Sequence, residues 1–102
     1  MIQLTLDALC DPTRREILKL LKKGERPAGE ISERFDVSSP AISRHLAVLQ
    51  RAELVESRRE GKYIIYSLSL DSIEEIRDWL DTFLKEFYYL GDYYELRYKS
   101  WI

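Results

Sequence analysis

Apolar residues recur every three or four positions along most of the chain, which is the spacing of one face of a helix. Five stretches have this pattern, and Gly24 is predicted to end the second of them. The predicted helices are a short opening helix with Ile2, Leu6 and Leu9 on one face, residues 12–23 with Ile17, Leu18 and Leu21, residues 27–35 with Ile31 and Phe35, residues 39–52 with Ile42, Leu46 and Leu49, and a long last helix with Ile73, Ile76, Leu80, Phe83 and Phe87.

Each of the three prolines falls where one of these helices would begin. Pro12, Pro27 and Pro40 are predicted at first helical positions, where the missing N–H group costs nothing. Asp11 and Ser39 precede two of these prolines and supply side-chain oxygens that can cap free backbone amides. The chain is therefore predicted to be mainly α.

After Leu54 the period of the apolar positions changes from helical to alternating. Residues 55–59 and 63–68 are predicted as two strands of a hairpin, joined by a glycine-containing turn over residues 60–62. The predicted order of elements is α-α-α-α-β-β-α, in which the third and fourth helices and their short connection form a helix-turn-helix unit. The side chains predicted to face inward from the second strand are Ile64, Tyr66 and Leu68.

Three motifs carry a resemblance to a known family: DPTRREIL at 11–18, SSPAISRHLAVL at 38–49 and GKYIIYSL at 61–68. Over roughly residues 5–85 the chain resembles the ArsR-type winged helix-turn-helix repressors of bacteria and archaea. The resemblance implies a winged helix-turn-helix fold. It also implies a homodimer that represses transcription by binding an inverted-repeat operator in double-stranded DNA.

The predicted helix over 39–52 carries polar residues opposite Ile42. Arg44 is the strongest candidate for base recognition, because a guanidinium can pair with O6 and N7 of guanine; outside this motif it would be interpreted as an ordinary exposed arginine. His45 either approaches DNA, as the SRHL pattern of the family suggests, or fills a gap between helices. The predicted DNA-binding residues are Ser38, Ser39, Pro40, Ser43, Arg44, His45, Arg51, Arg58, Arg59 and Lys62.

The net charge of the chain and its distribution point to different functions. The net charge is −2, which by itself argues against binding to nucleic acid. Residues 38–62 contain five arginines and lysines and three glutamates, a local excess of two positive charges, whereas residues 71–102 contain eight acids and four bases. An acidic far end would orient the basic face toward phosphates. Alternatively, the hairpin cations keep an edge strand soluble, and the chain is a dimeric winged-helix protein-interaction module with weak or no operator recognition.

The metal-ligand positions of the family that this chain resembles can be compared with its residues one by one. The cysteine motif of the arsenic and cadmium branch would fall on the helix over 27–35, where Pro27 and Gly29 occupy its cysteine positions. The zinc branch uses histidines of the last helix, and residues 71–102 contain none. Cys10 is predicted to pack in the core, or else to pair with its copy across a dimer. The sequence therefore predicts no metal and no cofactor, and it contains no enzyme motif.

The C-terminal third contains nine of the twelve aromatic residues. A chain this small cannot bury so many rings alone, so residues 1–91 are predicted to form a DNA-binding and dimerisation domain. Residues 92–102 are predicted to extend the dimerisation helix, although a strand fits their alternation too; the extension adds dimer contacts or receives a hydrophobic inducer or a partner protein. The predicted dimer-interface residues are Ile2, Leu6, Leu9, Ile76, Leu80, Phe83, Phe87, Leu90 and Tyr94.

The number of cysteines and the length of the apolar runs indicate the cellular compartment of the protein. A single cysteine excludes an internal disulfide and fits a reducing compartment. No apolar run approaches the roughly 18 residues of a membrane span, and no charged-then-apolar leader opens the sequence. These features predict a cytoplasmic protein.

Overall fold

The computed structural model describes the backbone of residues 2–89 and the side chains of residues 2–85. The predictions for Phe87, Leu90, Tyr94 and the extension over 92–102 therefore lie outside the described side chains. The elements are α1 (Ile2–Leu9), α2 (Pro12–Lys22), β1 (Arg26–Pro27), α3 (Ala28–Glu33), α4 (Ser39–Arg51), β2 (Val55–Glu60), β3 (Tyr63–Leu68) and α5 (Asp71–Tyr89). The predicted mainly helical fold with a small hairpin is confirmed.

The start of α2 follows the prediction from its local sequence. Asp11 has an extended backbone and accepts a hydrogen bond from the Arg14 amide at 3.1 Å, and Pro12 takes the first helical position. Burial alone would raise the pKa of Asp11, but hydrogen bonds from the backbone amides of Arg14 and Thr13 and the nearby Arg14 guanidinium favour the ionised carboxylate, so that the pKa is lowered. The cap therefore favours the ionised carboxylate.

The start of α4 differs by one residue from the prediction. Ser38, not Ser39, is the cap: its Oγ accepts a hydrogen bond from the Ala41 amide at 3.2 Å, and Ser39 is the first helical residue. Pro40 is then the second helical residue, where its missing N–H is still unneeded. Ser38 and Ser39 each carry a hydroxyl oxygen that can cap a helix, so the sequence alone could not show which of the two is the cap.

The prediction missed the strand β1. Arg26 and Pro27 pair antiparallel with Tyr66 and Ile65 of β3, which gives a three-stranded sheet in the order β1-β3-β2. Pro27 therefore precedes α3 as its cap residue, and its predicted helical position is wrong. A two-residue strand has no alternation to detect, and a proline is tolerated on an edge strand because no ladder amide is required there.

The core lies between the helices and the base of the hairpin. All three predicted inward residues of α4, Ile42, Leu46 and Leu49, are buried, and Ile17 and Ile31 join them in one cluster. These contacts hold α4 against α2 and α3, and thereby fix the direction of its opposite face. Burial of such side chains contributes roughly 1.5–3 kcal/mol each to stability.

Two predicted inward side chains lie outside this core. Ile64 is 43% exposed, because it is near the tip of the hairpin and the core ends beneath Tyr66 and Leu68, which pack against it. Cys10 is exposed in the turn between α1 and α2, so its predicted core position is wrong. The spacing of residues shows which side chains lie on the same face of a helix or strand, but it does not show how far the core extends beneath that face.

The first and last helices pack together. Helix α1 contacts α2, α4 and α5, with Thr5 and Ala8 buried. The start of α5 is attached to the end of α4, because the Ser72 hydroxyl donates a hydrogen bond to the Ala52 carbonyl at 2.8 Å. Within the described residues, no helix combines the length and apolar character that crossing a membrane requires.

Candidate nucleic-acid interface

One side of α4 is exposed and polar along the whole helix. This polar face of α4 lies opposite the three buried side chains, and its first turn carries small residues that permit close approach of another molecule. The positive end of the helix dipole lies at the same end, which favours an anion such as phosphate. The exposed residues of the polar face are Ser39, Pro40, Ser43, Arg44, Ala47 and Arg51.

His45 lies at the edge of this face and is half-buried. The Arg14 guanidinium is 3.3 Å from its Nδ1 atom and also donates hydrogen bonds to the carbonyls of Ala8 at 2.7 Å and Asp7 at 3.0 Å. Arginine can only donate, so Nδ1 is the acceptor in this contact and Nε2 is the ring nitrogen left for another partner. Arg14 of α2 thus connects the end of α1 to His45 of α4, and its contact with His45, 31 positions away, was not revealed by the sequence.

The hairpin of β2 and β3, called the wing, stands beside α4. The first of the two central residues of its turn is Gly61. Its φ of +62° lies in the left-handed region, which glycine adopts without strain. Arg58 pairs with Ile65 and Arg59 with Ile64, and consecutive strand residues point to opposite sides. The predicted pair of wing arginines is therefore divided between the two faces of the sheet.

The inner face of the wing, defined by Val55, Ser57 and Arg59, is turned toward α4. The Gln50 amide of α4 donates a hydrogen bond to the Ser57 hydroxyl at 2.9 Å, which ties the base of the wing to the helix. Arg59 is exposed further along this face, and its Nε reaches only its own turn, at the Gly61 carbonyl 3.4 Å away. Arg59 and the polar face of α4 are thus presented together.

The outer face of the wing, defined by Glu56, Arg58 and Glu60, carries a different arrangement. The Arg58 guanidinium donates two hydrogen bonds to Glu25, at 2.6 and 2.7 Å, and one to Glu60 at 3.1 Å. Hydrogen bonding to Arg58 lowers the pKa of Glu25, and the same bonds raise the pKa of Arg58. Glu25 lies 33 positions from Arg58 and was missed, because only the pairing of β1 with β3 brings the two together.

The other predicted cations are available to an external anion. Among the described residues, Arg44, Arg51, Arg59 and Lys62 are exposed and take part in no ion pair with a carboxylate. The Lys62 ammonium lies 5.5 Å from the centre of the Tyr63 ring, at the tip of the wing. The polar face of α4 and the wing therefore form one exposed surface with four unpaired positive charges.

No group of three metal-ligating side chains is found in the part of the chain that the structure describes. His45, the single histidine, is engaged with Arg14, and Cys10 is exposed in a turn. Pro27 lies in β1 and Gly29 in α3, where they can offer no side-chain ligand.

A second exposed surface lies on α5. Leu80 and Phe83 are 48% and 56% exposed, and Phe83 packs edge-on against Trp79 with the ring centres 5.2 Å apart. Ile76 is only 8% exposed within one chain, so little of it remains to be buried by another molecule. The apolar face of α5 is wider than predicted; its exposed members are Ile73, Trp79, Leu80, Phe83 and Leu84.

The order of elements, the buried side of α4 and the cationic wing beside it define a winged helix-turn-helix protein of the class that binds DNA. Comparison with known proteins gives the family. Residues 11–57 match the family model described as bacterial regulatory protein, arsR family. The chain belongs to this family of DNA-binding transcriptional regulators.

Individual relatives agree with this assignment. The transcriptional repressor SdpR of Bacillus subtilis is 43% identical over 79 residues, which are 78% of this chain and 88% of the repressor. The arsenical resistance operon repressor of Staphylococcus xylosus is 40% identical over 76 residues, 74% of this chain and 73% of that protein. Among solved structures, an ArsR-like transcriptional regulator from Rhodococcus sp. RHA1 is 30% identical with a TM-score of 0.77, covering 93% of this chain and 91% of the other.

Proposed function

We propose that this protein represses transcription in the cytoplasm by occupying an inverted-repeat operator as a homodimer. The observation that carries the proposal is the exposed surface formed by the polar face of α4 and the wing, on which four cations have no carboxylate partner among the described residues. Names of relatives that are themselves called repressors support the direction of regulation. A homodimer would place two copies of α4 about one helical turn of DNA apart, each on one half-site.

The predicted contacts divide into two kinds. Arg44, on the first turns of α4, is proposed to pair with a guanine, while Ser39 and Ser43 bond base edges or phosphates beside it. Ser38 caps the helix, and Pro40 permits close approach. Arg51, Arg59 and Lys62 are proposed to contact phosphates, which adds affinity without sequence preference. His45, held through Nδ1, can offer its Nε2–H group to the duplex.

Selection of bound fragments from random or genomic DNA with the purified protein tests this proposal. We expect the selected fragments to share an inverted repeat whose half-sites are centred about 10 base pairs apart or a multiple of that spacing. A selection that enriches no common sequence would contradict operator recognition. It would favour the alternative, a dimeric protein-interaction module, for which the exposed apolar face of α5 would be the contact surface.

The dimer is proposed to form through α1 and α5. Ile2, Leu6 and Leu9 are half-buried on α1, and α1 packs against α5. A monomer rarely exposes a continuous apolar face with several large side chains, because burying them in a partner is favourable by roughly 25 cal/mol per Å². The proposed occupant of the apolar face of α5 is the same face of a second copy.

The protein is proposed not to respond to metals, because neither known ligand arrangement of the family fits its residues. We expect zinc, cadmium or arsenite at low micromolar concentration to leave the protein–operator complex intact in a gel-shift or anisotropy titration. A matched control is a metal-responsive relative released under the same conditions. Stoichiometric release of this protein by any of the three would overturn the inference.

A further inference from the structure

Arg58 has a different environment from the other cations of the wing. Its guanidinium is held by Glu25 through two short hydrogen bonds and by Glu60 through a third. All three side chains are roughly half exposed, at 50%, 49% and 64%, so the cluster lies on the surface where a duplex could reach it. The geometry with Glu25 is the bidentate arrangement that an arginine also makes with a phosphate.

The charge of this cluster is unfavourable for DNA. One guanidinium and two carboxylates give a net charge of −1, and a phosphate approaching Arg58 would meet both carboxylates at short range. Glu25 contributes the larger share, because it makes two of the three contacts and the shorter ones. Its carboxylate occupies the place on Arg58 that a phosphate oxygen pair would take.

The position of Glu25 is set by the fold and not by Arg58 alone. Gly24, with a φ of +149°, ends the turn after α2, and Arg26 is fixed beside Tyr66 by the pairing of β1 with β3. Glu25 lies between these two residues, so the place of its backbone beside the wing does not depend on Arg58.

We propose that Glu25 competes with DNA phosphate for Arg58 and thereby sets the affinity and the salt dependence with which the wing binds a duplex. This inference rests on the proposed function, since it requires that the wing meets DNA. Wild-type Arg58 then contributes less to binding than Arg59, because phosphate must first displace a bound carboxylate. Glu25 acts on any sequence alike, since phosphates carry no base information.

Glu25→Gln tests the proposal, because it keeps the size of the side chain and removes its charge. Binding of a fluorescent non-operator duplex is measured by anisotropy over a series of salt concentrations. We expect tighter binding than for the wild type, by about threefold or more at low salt, and a slope of log K against log salt that is steeper by up to about one unit. The matched control is Glu60→Gln, which removes the same charge from the other carboxylate that contacts Arg58 and should have a smaller effect.

The double variant Glu25→Gln/Arg58→Ala shows whether Arg58 carries the effect. We expect the gain to disappear in the Arg58→Ala background, because no guanidinium is left to release. A gain that persists there would mean that Glu25 acts only by general repulsion and would overturn the proposal. An unchanged or weaker affinity of Glu25→Gln, with thermal unfolding confirming a folded protein, would overturn it too.

Failure of the inference can be separated from failure of the proposed function. If Arg44→Ala kept the operator preference while Glu25→Gln still bound DNA more tightly, the role of Arg44 in base recognition would be contradicted. The competition between Glu25 and phosphate for Arg58 would remain supported. A wild type with normal operator preference and no response to Glu25→Gln would contradict only the competition. If neither the wild type nor Glu25→Gln bound any duplex, both the proposed function and the competition at Arg58 would be contradicted.

Discussion

Replacing Arg44 by alanine is expected to weaken operator binding by about 1–3 kcal/mol and to relax the preference at one base pair of each half-site. The residue lies exposed on the polar face of α4 and, among the described residues, forms no ion pair that would keep it from DNA. In the proposed complex, its loss would remove a bidentate contact with guanine and not merely a charge. Anisotropy titrations with the selected operator and with a scrambled duplex would measure both effects.

Two further variants sharpen this test. Arg44→Lys retains the charge but not the planar pair of donors, so it should keep most of its affinity for the scrambled duplex and lose operator preference. Lys19→Ala removes a cation from α2, outside both the polar face of α4 and the apolar face of α5, and should bind as the wild type does. Unchanged operator preference in Arg44→Ala would show that another residue reads the bases.

Replacing Phe83 by glutamate is expected to convert the protein into a monomer and to weaken operator binding by roughly 100-fold or more. Phe83 is 56% exposed on the apolar face of α5, and a charge buried there at a two-fold interface would meet its own copy. The loss in affinity follows because two linked binding units gain about 10²–10⁴ over one. Light scattering gives the mass, and anisotropy gives the affinity for a full operator and for a half-site.

The chain offers a matched control for this variant on the same helix. Thr82→Glu adds the same charge about 160° around α5 from Leu80, at 100° per residue, on an exposed position away from the apolar face. It should remain a dimer and bind normally. A Phe83→Glu protein with the mass of a dimer would contradict the proposed interface and favour another role for the aromatic face.

Local sequence determined most of the helices. A proline after Asp11, and serines before Pro40, fixed two helix starts to within a residue, because capping and the missing proline amide act between near neighbours. The spacing of Ile42, Leu46 and Leu49 correctly identified the buried side of α4, and with it the exposed Arg44. Resemblance over three motifs supplied the family, which the comparisons confirm.

Other features were decided only by tertiary structure. The strand β1 exists because Arg26 and Pro27 meet β3, and no local pattern encodes a two-residue pairing. The same pairing brings Glu25 to Arg58, so that one of the predicted wing cations is already bound to carboxylates. Sequence determined which residues are charged and which face they share; the fold determined which charges are neutralised, because ion pairing depends on distances between segments far apart in the chain.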